Sequence, residues 1–356
     1  MKRYLKYTKG EVDNAGDVLS GVLDNVISKD KAIEVLENFR SIHIHPLNVF
    51  RMSLDKKSKS ISNDALISQR IKRAPSIISK LKIQKNMSLS QMQDIGGLRV
   101  VMNSLDEVYK LKDMVRMSEK QPAFKSNLVK ETDYIISPKE SGYRSIHLIY
   151  KYEKNVSPEN ICRIEIQLRT RIQHAWATAV EVIGTYLRQP LKQSFGDQNY
   201  LDLFKDISKV FIKLENNEND TQLFKDTLNK IGKIKLRDLL LGFSTATQIS
   251  EKDINKKTGK YFLITLDFRT KKLSIVPFTE SKLDEANAEY SKKEKQFLDD
   301  KSIETVLVSV DDINNLRKLY PNYFLDSQEF VTLLDTIENK LKEQEDIFFQ
   351  KGDYDA

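Results

Sequence analysis

The sequence predicts a protein of the α/β (α+β) class, and three observations predict it. Arg163-Ile164-Glu165-Ile166-Gln167-Leu168-Arg169-Thr170 alternates strictly. Ile164, Ile166 and Leu168 turn one way and Glu165, Gln167 and Arg169 the other, which is a strand with one buried face and one chemical face. Directly after it, Ile172, Ala175, Trp176, Ala179, Ile183, Tyr186 and Leu187 recur with helical period. Near the C-terminus, Tyr261 to Phe268, Leu273 to Phe278 and Ile303 to Val310 read as three strands, and Ser327 to Lys342 as a closing helix.

Length and composition bound the rest. With 356 residues, 40% of them hydrophobic, the chain can bury a real core and fold as two domains. No apolar run is long enough to cross a bilayer, and Met1-Lys2-Arg3-Tyr4-Leu5-Lys6 does not open a signal peptide, so the expectation is a cytoplasmic protein with no membrane partner. Cys162 is the one cysteine, and four histidines beside it leave no zinc spacing. The net charge of +7 is uneven: between Lys56 and Lys85 nine basic residues face one acid, Asp64, a local +8. Such a run is either a solvated face or a surface for polyphosphate or a nucleic-acid backbone.

In chain order, Val12 to Phe39 reads as helical and is stopped at Ile42-His43-Ile44-His45-Pro46, since proline disfavours helix at the residue before it. The two histidines have strand or turn spacing. In Arg70-Ile71-Lys72-Arg73-Ala74-Pro75-Ser76-Ile77-Ile78-Ser79-Lys80-Leu81, Pro75 suits the first turn of a helix that puts Ser76 and Lys80 one turn apart on one face. A hydroxyl and several cations converging there suit a triphosphate.

Asp94-Ile95-Gly96-Gly97-Leu98-Arg99 passes through two glycines into a strand, with Asp94 at its mouth. Asp94 either caps a turn or joins Glu165 as the two carboxylates of a Mg2+ site completed by water and phosphate oxygens. A helix follows from Leu105 to Ser118. Then Pro138-Lys139-Glu140-Ser141-Gly142-Tyr143 makes a loop carrying Lys139 and Tyr143, and a strand runs on through His147. An exposed tyrosine beside cations is either a platform for a nucleobase or a loop residue packed on the domain. On the helix after Thr170, His174, Thr178, Glu181 and Thr185 form a polar stripe that meets solvent or lines the site. Residues 191 to 240 read as helices, and Gly242-Phe243-Ser244-Thr245 marks a composition break.

These segments, in this order, resemble the synthetase domain of the RelA/SpoT family. The resemblance rests on Arg70-x-Lys72-x-x-x-Ser76-Ile77-x-x-Lys80, Asp94-x-x-Gly97-x-Arg99, Asp133-Tyr134-Ile135 to Pro138-Lys139, Gly142-Tyr143-Arg144-Ser145-x-His147 and Glu165-x-Gln167-x-Arg169-Thr170, over roughly residues 40 to 190. It implies a mixed-sheet, nucleotidyltransferase-type domain that moves pyrophosphate from ATP onto a ribose 3′-hydroxyl. It also implies roles: Arg70 and Arg99 sandwich adenine; Lys72, Ser76 and Lys80 hold the ATP phosphates; Asp94 and Glu165 handle magnesium, Glu165 being the candidate base; Tyr143 stacks the acceptor's base. Lys139, His147, Gln167 and Arg169 complete the expected acceptor side.

Two departures bear on the acceptor. Alarmone synthetases commonly have asparagine before the Gly-Tyr pair and a Glu-His pair on the next helix, where this chain has Ser141 and Glu181-Val182. The stretch Gln173 to Thr185 is similar to the toxic small alarmone synthetases, several of which modify the 3′-terminal adenosine of tRNA. The primary expectation is therefore tRNA as acceptor, with GDP or GTP as the alternative and a catalytically inactive binding module as a third reading. No His-Asp signature appears, so no alarmone hydrolysis is expected, and DNA is not among the expected partners. Leu319-Tyr320-Pro321-Asn322-Tyr323-Phe324-Leu325 is an aromatic cluster of the kind that usually builds core. The region also resembles the fused antitoxin half of CapRel-type proteins, which implies that Tyr320 and Tyr323 cover the adenine pocket until a trigger, a phage protein in related systems, opens it. The implied division is 1–240 for the synthetase domain and 245–356 for a regulatory module.

Overall fold

The fold was read from a computed structural model, which describes residues 5–23, 26–117, 126–152, 162–187, 189–246, 248–249, 259–270, 272–298, 300, 302–309, 314–324 and 327–352. In chain order the elements are α1 (Lys9–Ser20), α2 (Lys29–Ser41), α3 (Ile44–Ile61), β1 (Leu66–Ile71), α4 (Ala74–Ile83), β2 (Gly96–Met102), α5 (Leu105–Met117), β3 (Ser126–Asp133), β4 (Ile146–Tyr152) and β5 (Cys162–Thr170). There follow α6 (Arg171–Tyr186), α7 (Gln198–Glu215), α8 (Thr221–Ile234), α9 (Leu236–Ala246), β6 (Gln248–Ile249), β7 (Tyr261–Asp267), β8 (Lys272–Phe278), α10 (Leu283–Gln296), β9 (Ile303–Ser309), α11 (Asn314–Leu319) and α12 (Gln328–Gly352). The class is α+β, as the alternating and helical periods predict, with the mixed sheet that the resemblance implies.

The chain divides into two compact units, each assembled from three stretches. The first is Met1–Thr132, Ile146–Leu168 and Ile249–Leu319; the second is Asp133–Ser145, Arg169–Gln248 and Tyr320–Ala356. The division expected at 240–245 falls on α9, which runs through Gly242, and the residues beyond it are shared between both units. Glycine weakens a helix interior but does not end it when the flanking residues, here a leucine run, favour helix.

The sheet has the strand order β3-β4-β5-β2-β1-β9-β7-β8-β6. β1 and β2 run antiparallel from Leu66↔Val101 to Ile71↔Gly96, and β9 joins the other edge of β1 at Gln69↔Ser309 and Arg70↔Val308. β7 pairs antiparallel with both β8 and β9 over its whole length. The three C-terminal strands therefore extend the sheet that carries Arg70 and Arg99.

In the first unit, the helical stretch expected from Val12 to Phe39 is two helices. Thr8 and Glu11 form a capping box at the start of α1, Gly21 ends it in the left-handed region at φ 77°, and Ser28 caps α2. The stop expected at Ile42 to Pro46 is where α2 ends, at Ser41 with Ile42 as its C-cap, but a new helix, α3, begins at once at Ile44 with Pro46 in its first turn, where the missing N–H costs no helical hydrogen bond. His43 lies in the short turn between α2 and α3 and is buried, its Nδ1 2.9 Å from the Phe39 carbonyl, whereas His45 falls inside α3. Val12, Ala15, Val35, Leu36, Phe39, Ile77, Leu81 and Leu89 form one apolar cluster that seats α4 on α1 and α2.

In the second unit, α6 is buried along most of its length. Trp176 donates its indole N–H to the Phe204 carbonyl at 2.9 Å, and Phe330 of α12 packs on Phe204 and Phe211 of α7, with ring centroids 6.4 and 5.5 Å apart. The polar stripe of α6 divides: His174 and Thr178 are buried, while Glu181 is half-buried and meets Lys192 at 3.0 Å.

Candidate active site

Register places the first set of predicted residues on one face of the sheet. A Cβ added at Gly96 would lie 2.8 Å from Ile164 Cδ1 and 3.2 Å from Leu47 Cγ, so Gly96 points to the packed side and must stay without a side chain. Strand alternation then turns Gly97 and Arg99 to the opposite side, together with Glu165, which alternates against Ile164. Arg70 stands across from Gly97, and Ser68 across from Arg99, so the two arginines are diagonal neighbours on that same face. A Cβ at Gly97 would have only the Arg70 carbonyl oxygen near it, at 3.9 Å. The Gly-Gly pair thus does two jobs: one residue closes the core and the next leaves open space on the face that carries Arg70 and Arg99.

At the mouth of β2, Asp94 is clamped by both lysines of the predicted phosphate site. Lys72 Nζ lies 2.7 Å from Oδ2 and Lys80 Nζ 2.9 Å from Oδ1. Burial opposes ionisation of Asp94, but the two ammonium groups outweigh it and hold the carboxyl down to about 2. Lys72 is also lowered, because burial acts on it more strongly than its share of the Asp94 charge. Ser76 sits in α4 one turn before Lys80, with Pro75 in the first turn of the helix.

Glu165 is half-buried on β5, its Oε1 2.9 Å from His147 Nδ1, while Gln167 Nε2 donates to its Oε2 at 2.8 Å. His147 and Gln167 are directly opposed across β4 and β5. Burial and the Asp94 charge push the Glu165 pKa up, yet His147 and Gln167 prevail and leave it below the usual carboxylate value. Among the described residues no three His, Cys, Asp or Glu side chains converge as a metal-binding group. Asp94 and Glu165 are close enough to sense each other's charge, and two carboxylates suit a hard divalent cation whose other ligands come from water and phosphate.

The second unit holds the other predicted residues. Lys139 and Tyr143 lie in a loop closed by Lys139 N–H to the Tyr143 carbonyl at 3.1 Å and Gly142 N–H to the Lys139 carbonyl at 2.8 Å. Gly142 has φ 89°, and a Cβ there would stand 2.8 Å from Ser208 Cβ, so only glycine fits. Lys139 Nζ lies 4.7 Å from the Tyr134 ring centroid and 5.1 Å from that of Tyr143. Ser141, Tyr143, Trp176, Val180, Lys192 and Phe204 line a small cleft. Arg169 is buried, not on a solvated face, and its guanidinium donates to His174 Nδ1. Tyr320 and Tyr323 are each 2% exposed, and the turn that carries Tyr323 packs on α6.

Sequence reasoning missed Glu215. This last residue of α7 is 3% exposed and accepts from Arg144, from the Thr170 hydroxyl and from Gln173 Nε2, which ties the Tyr143 loop to the start of α6. The one available signal was a carboxylate at a helix C-terminus, where the helix dipole disfavours it.

With this geometry described, likeness to known proteins can be placed on it. Residues 69–189 match the region found in RelA / SpoT proteins. The chain is 37% identical over 116 residues to GTP pyrophosphokinase YjbM of Bacillus subtilis, covering 32% of this chain and 52% of that protein. It is 28% identical over 135 residues to GTP pyrophosphokinase YwaC of the same organism, covering 36% of this chain and 62% of that one. The chain therefore spans about half to three-fifths of the length of these relatives. Among solved structures, small alarmone synthetase 1 from Bacillus subtilis bound to its product pppGpp is 26% identical, with a TM-score of 0.40 over 49% of this chain and 89% of that one. The matched stretch, residues 69–189, carries both carboxylates, the paired arginines and the Tyr143 loop.

Proposed function

We propose that this chain is a pyrophosphokinase that transfers the β,γ-pyrophosphate of ATP to the ribose 3′-hydroxyl of a guanosine nucleotide. The observation that carries this reading is the single sheet face on which Arg70 and Arg99 flank the gap at Gly97, with Glu165 beside them and Asp94 clamped by Lys72 and Lys80 at the strand mouth. The guanosine acceptor is placed first because the matched relatives are named GTP pyrophosphokinases.

In this reading the two guanidinium groups hold the adenine between them, and Lys72, Ser76 and Lys80 turn from Asp94 to the phosphates when ATP brings its own negative charge. Mg2+, held by Asp94 and Glu165, supplies charge neutralisation on the polyphosphate. The 3′-oxygen attacks the β-phosphorus, the bond from that phosphorus to the bridging α–β oxygen breaks, and AMP leaves. Glu165, ionised at neutral pH and oriented by His147 and Gln167, accepts the hydroxyl proton. Tyr143 stacks the acceptor base, with Lys139 beside it.

A second reading takes the 3′-terminal adenosine of tRNA as acceptor. Ser141 and Val182, which stand where alarmone synthetases commonly have asparagine and histidine, favour it, and so does the local +8 between Lys56 and Lys85. In that reading Tyr320 and Tyr323 act as a brake that a phage protein releases. ATP labelled on its terminal phosphate, incubated with the protein, magnesium and either GDP/GTP or bulk tRNA, separates the two. Label on guanosine nucleotide is the expected result. Label on tRNA alone would put the second reading first, and label on neither would remove the pyrophosphokinase assignment.

A further inference from the structure

Residues 69 to 74 lead from the strand that carries Arg70 into the helix that carries Ser76 and Lys80, and they are tied down from the far end of the chain. β9 pairs with β1 at Gln69 and Arg70, the first residues of this stretch. Arg73, the N-cap of α4, has no side-chain capping bond of its own, and its guanidinium donates to Glu304 of β9 at 2.8 Å. The next backbone N–H, that of Ala74, donates to Glu294 Oε1 of α10, also at 2.8 Å. This is one of the N–H groups that a helix leaves without an intrahelical partner, so a carboxylate from another element does the work of a missing cap.

Glu294 is itself fixed. It is 7% exposed and pairs with Arg40 of α2 at 2.5 Å, and Tyr290 donates its hydroxyl to it at 2.7 Å. Arg40 also donates to the Tyr290 oxygen at 2.8 Å, and the Glu294 charge raises its pKa against the opposing effect of burial. A buried carboxylate with this many donors has one available position, and whatever it holds is held rigidly. Nothing in the residue pattern of 290–304 hints at nucleotide chemistry, and these residues lie outside the region matched to RelA / SpoT proteins.

We propose that Glu304 and Glu294 are positioning residues of the ATP-phosphate segment: through Arg73 and the Ala74 N–H they set the start of α4 and so aim Lys72, Ser76 and Lys80. The C-terminal strands and α10 then complete the nucleotide site from behind. This rests on the proposed binding of ATP by that segment, but not on the identity of the acceptor.

The test is calorimetric binding of a non-hydrolysable ATP analogue with magnesium to the full chain. Glu304 is about one-quarter exposed and Glu304→Gln keeps the side chain's shape, so this variant should keep the wild-type melting temperature within a few degrees. Its affinity for the analogue should fall by about three- to tenfold, and once the acceptor is known the KM for ATP should rise while kcat stays within about twofold. The exchanged pair Arg73→Glu with Glu304→Arg should recover most of the loss that either exchange causes alone. Glu294→Gln should lower both affinity and melting temperature, since it breaks the buried pair with Arg40. Wild-type binding that Glu304→Gln leaves unchanged would overturn the proposal alone, as would an exchanged pair no better than Arg73→Glu, which would make Arg73 a direct phosphate ligand. A wild-type chain that binds no analogue would overturn the nucleotide reading and this one with it.

Discussion

His147 Nδ1 lies 2.9 Å from Glu165 Oε1, and each side chain is 14% exposed, so the carboxylate assigned as base is held by a neighbouring strand as well as by Gln167 of its own. Glu165→Gln keeps the shape and the bond to Gln167 but loses the proton acceptor. Transfer should fall by about 10²- to 10⁴-fold, while binding of an ATP analogue stays within a few-fold. Radiolabel transfer and calorimetry on the same preparation read both. Near wild-type turnover would remove Glu165 from the base role.

The two glycines of β2 should respond differently to the same small change. Gly96→Ala places a methyl 2.8 Å from Ile164 Cδ1 and should cost about 1–3 kcal/mol of stability. Gly97→Ala meets nothing closer than 3.9 Å and should melt like the wild type. Its methyl would project between Arg70 and Arg99, however, so it should weaken binding of the ATP analogue. Equal melting temperatures for the two variants would contradict the facing assigned to β2.

His43 carries a pH dependence. Burial pushes it down to about 4 from 6.5, its Nδ1 facing the Phe39 carbonyl. Because the folded state resists the proton that the unfolded chain accepts, this contribution is fully present above pH 6.5 and is lost as the pH falls toward 4. The loss amounts to about 3 kcal/mol. Denaturant titrations at steps between pH 7 and pH 4 should show the decline, and His43→Gln should flatten it. An unchanged slope in that variant would place the sensitivity elsewhere.

Glu215 anchors the loop of Tyr143 through Arg144 and the start of α6 through Thr170 and Gln173. Glu215→Ala leaves the buried Arg144 without its counter-charge and should destabilise by about 3–5 kcal/mol. Thermal unfolding measures it, and a variant as stable as wild type would show that the cluster carries no net stability.

Local pattern alone determined much of this protein. The alternation of residues 163–170, the helical period behind it and the three C-terminal strands all appear in the structure within a residue or two, because burial on one face imposes a period that side-chain type records directly. Local signals also placed Pro75 in the first turn of α4. They did not reveal that a new helix starts at Ile44, because Pro46 in its first turn is tolerated there.

Only tertiary structure decided which strands lie side by side and what is buried between them. β9 pairs with β1 across more than two hundred residues of chain, and that pairing brings Glu304 to Arg73 and Glu294 to the start of α4. Glu215 and Arg169 look like ordinary surface charges in the sequence, yet both are buried against partners supplied by the fold. The physical reason is the same in each case: a charge is assigned by its partner, and partners distant in sequence are chosen by chain topology, to which residue spacing is blind.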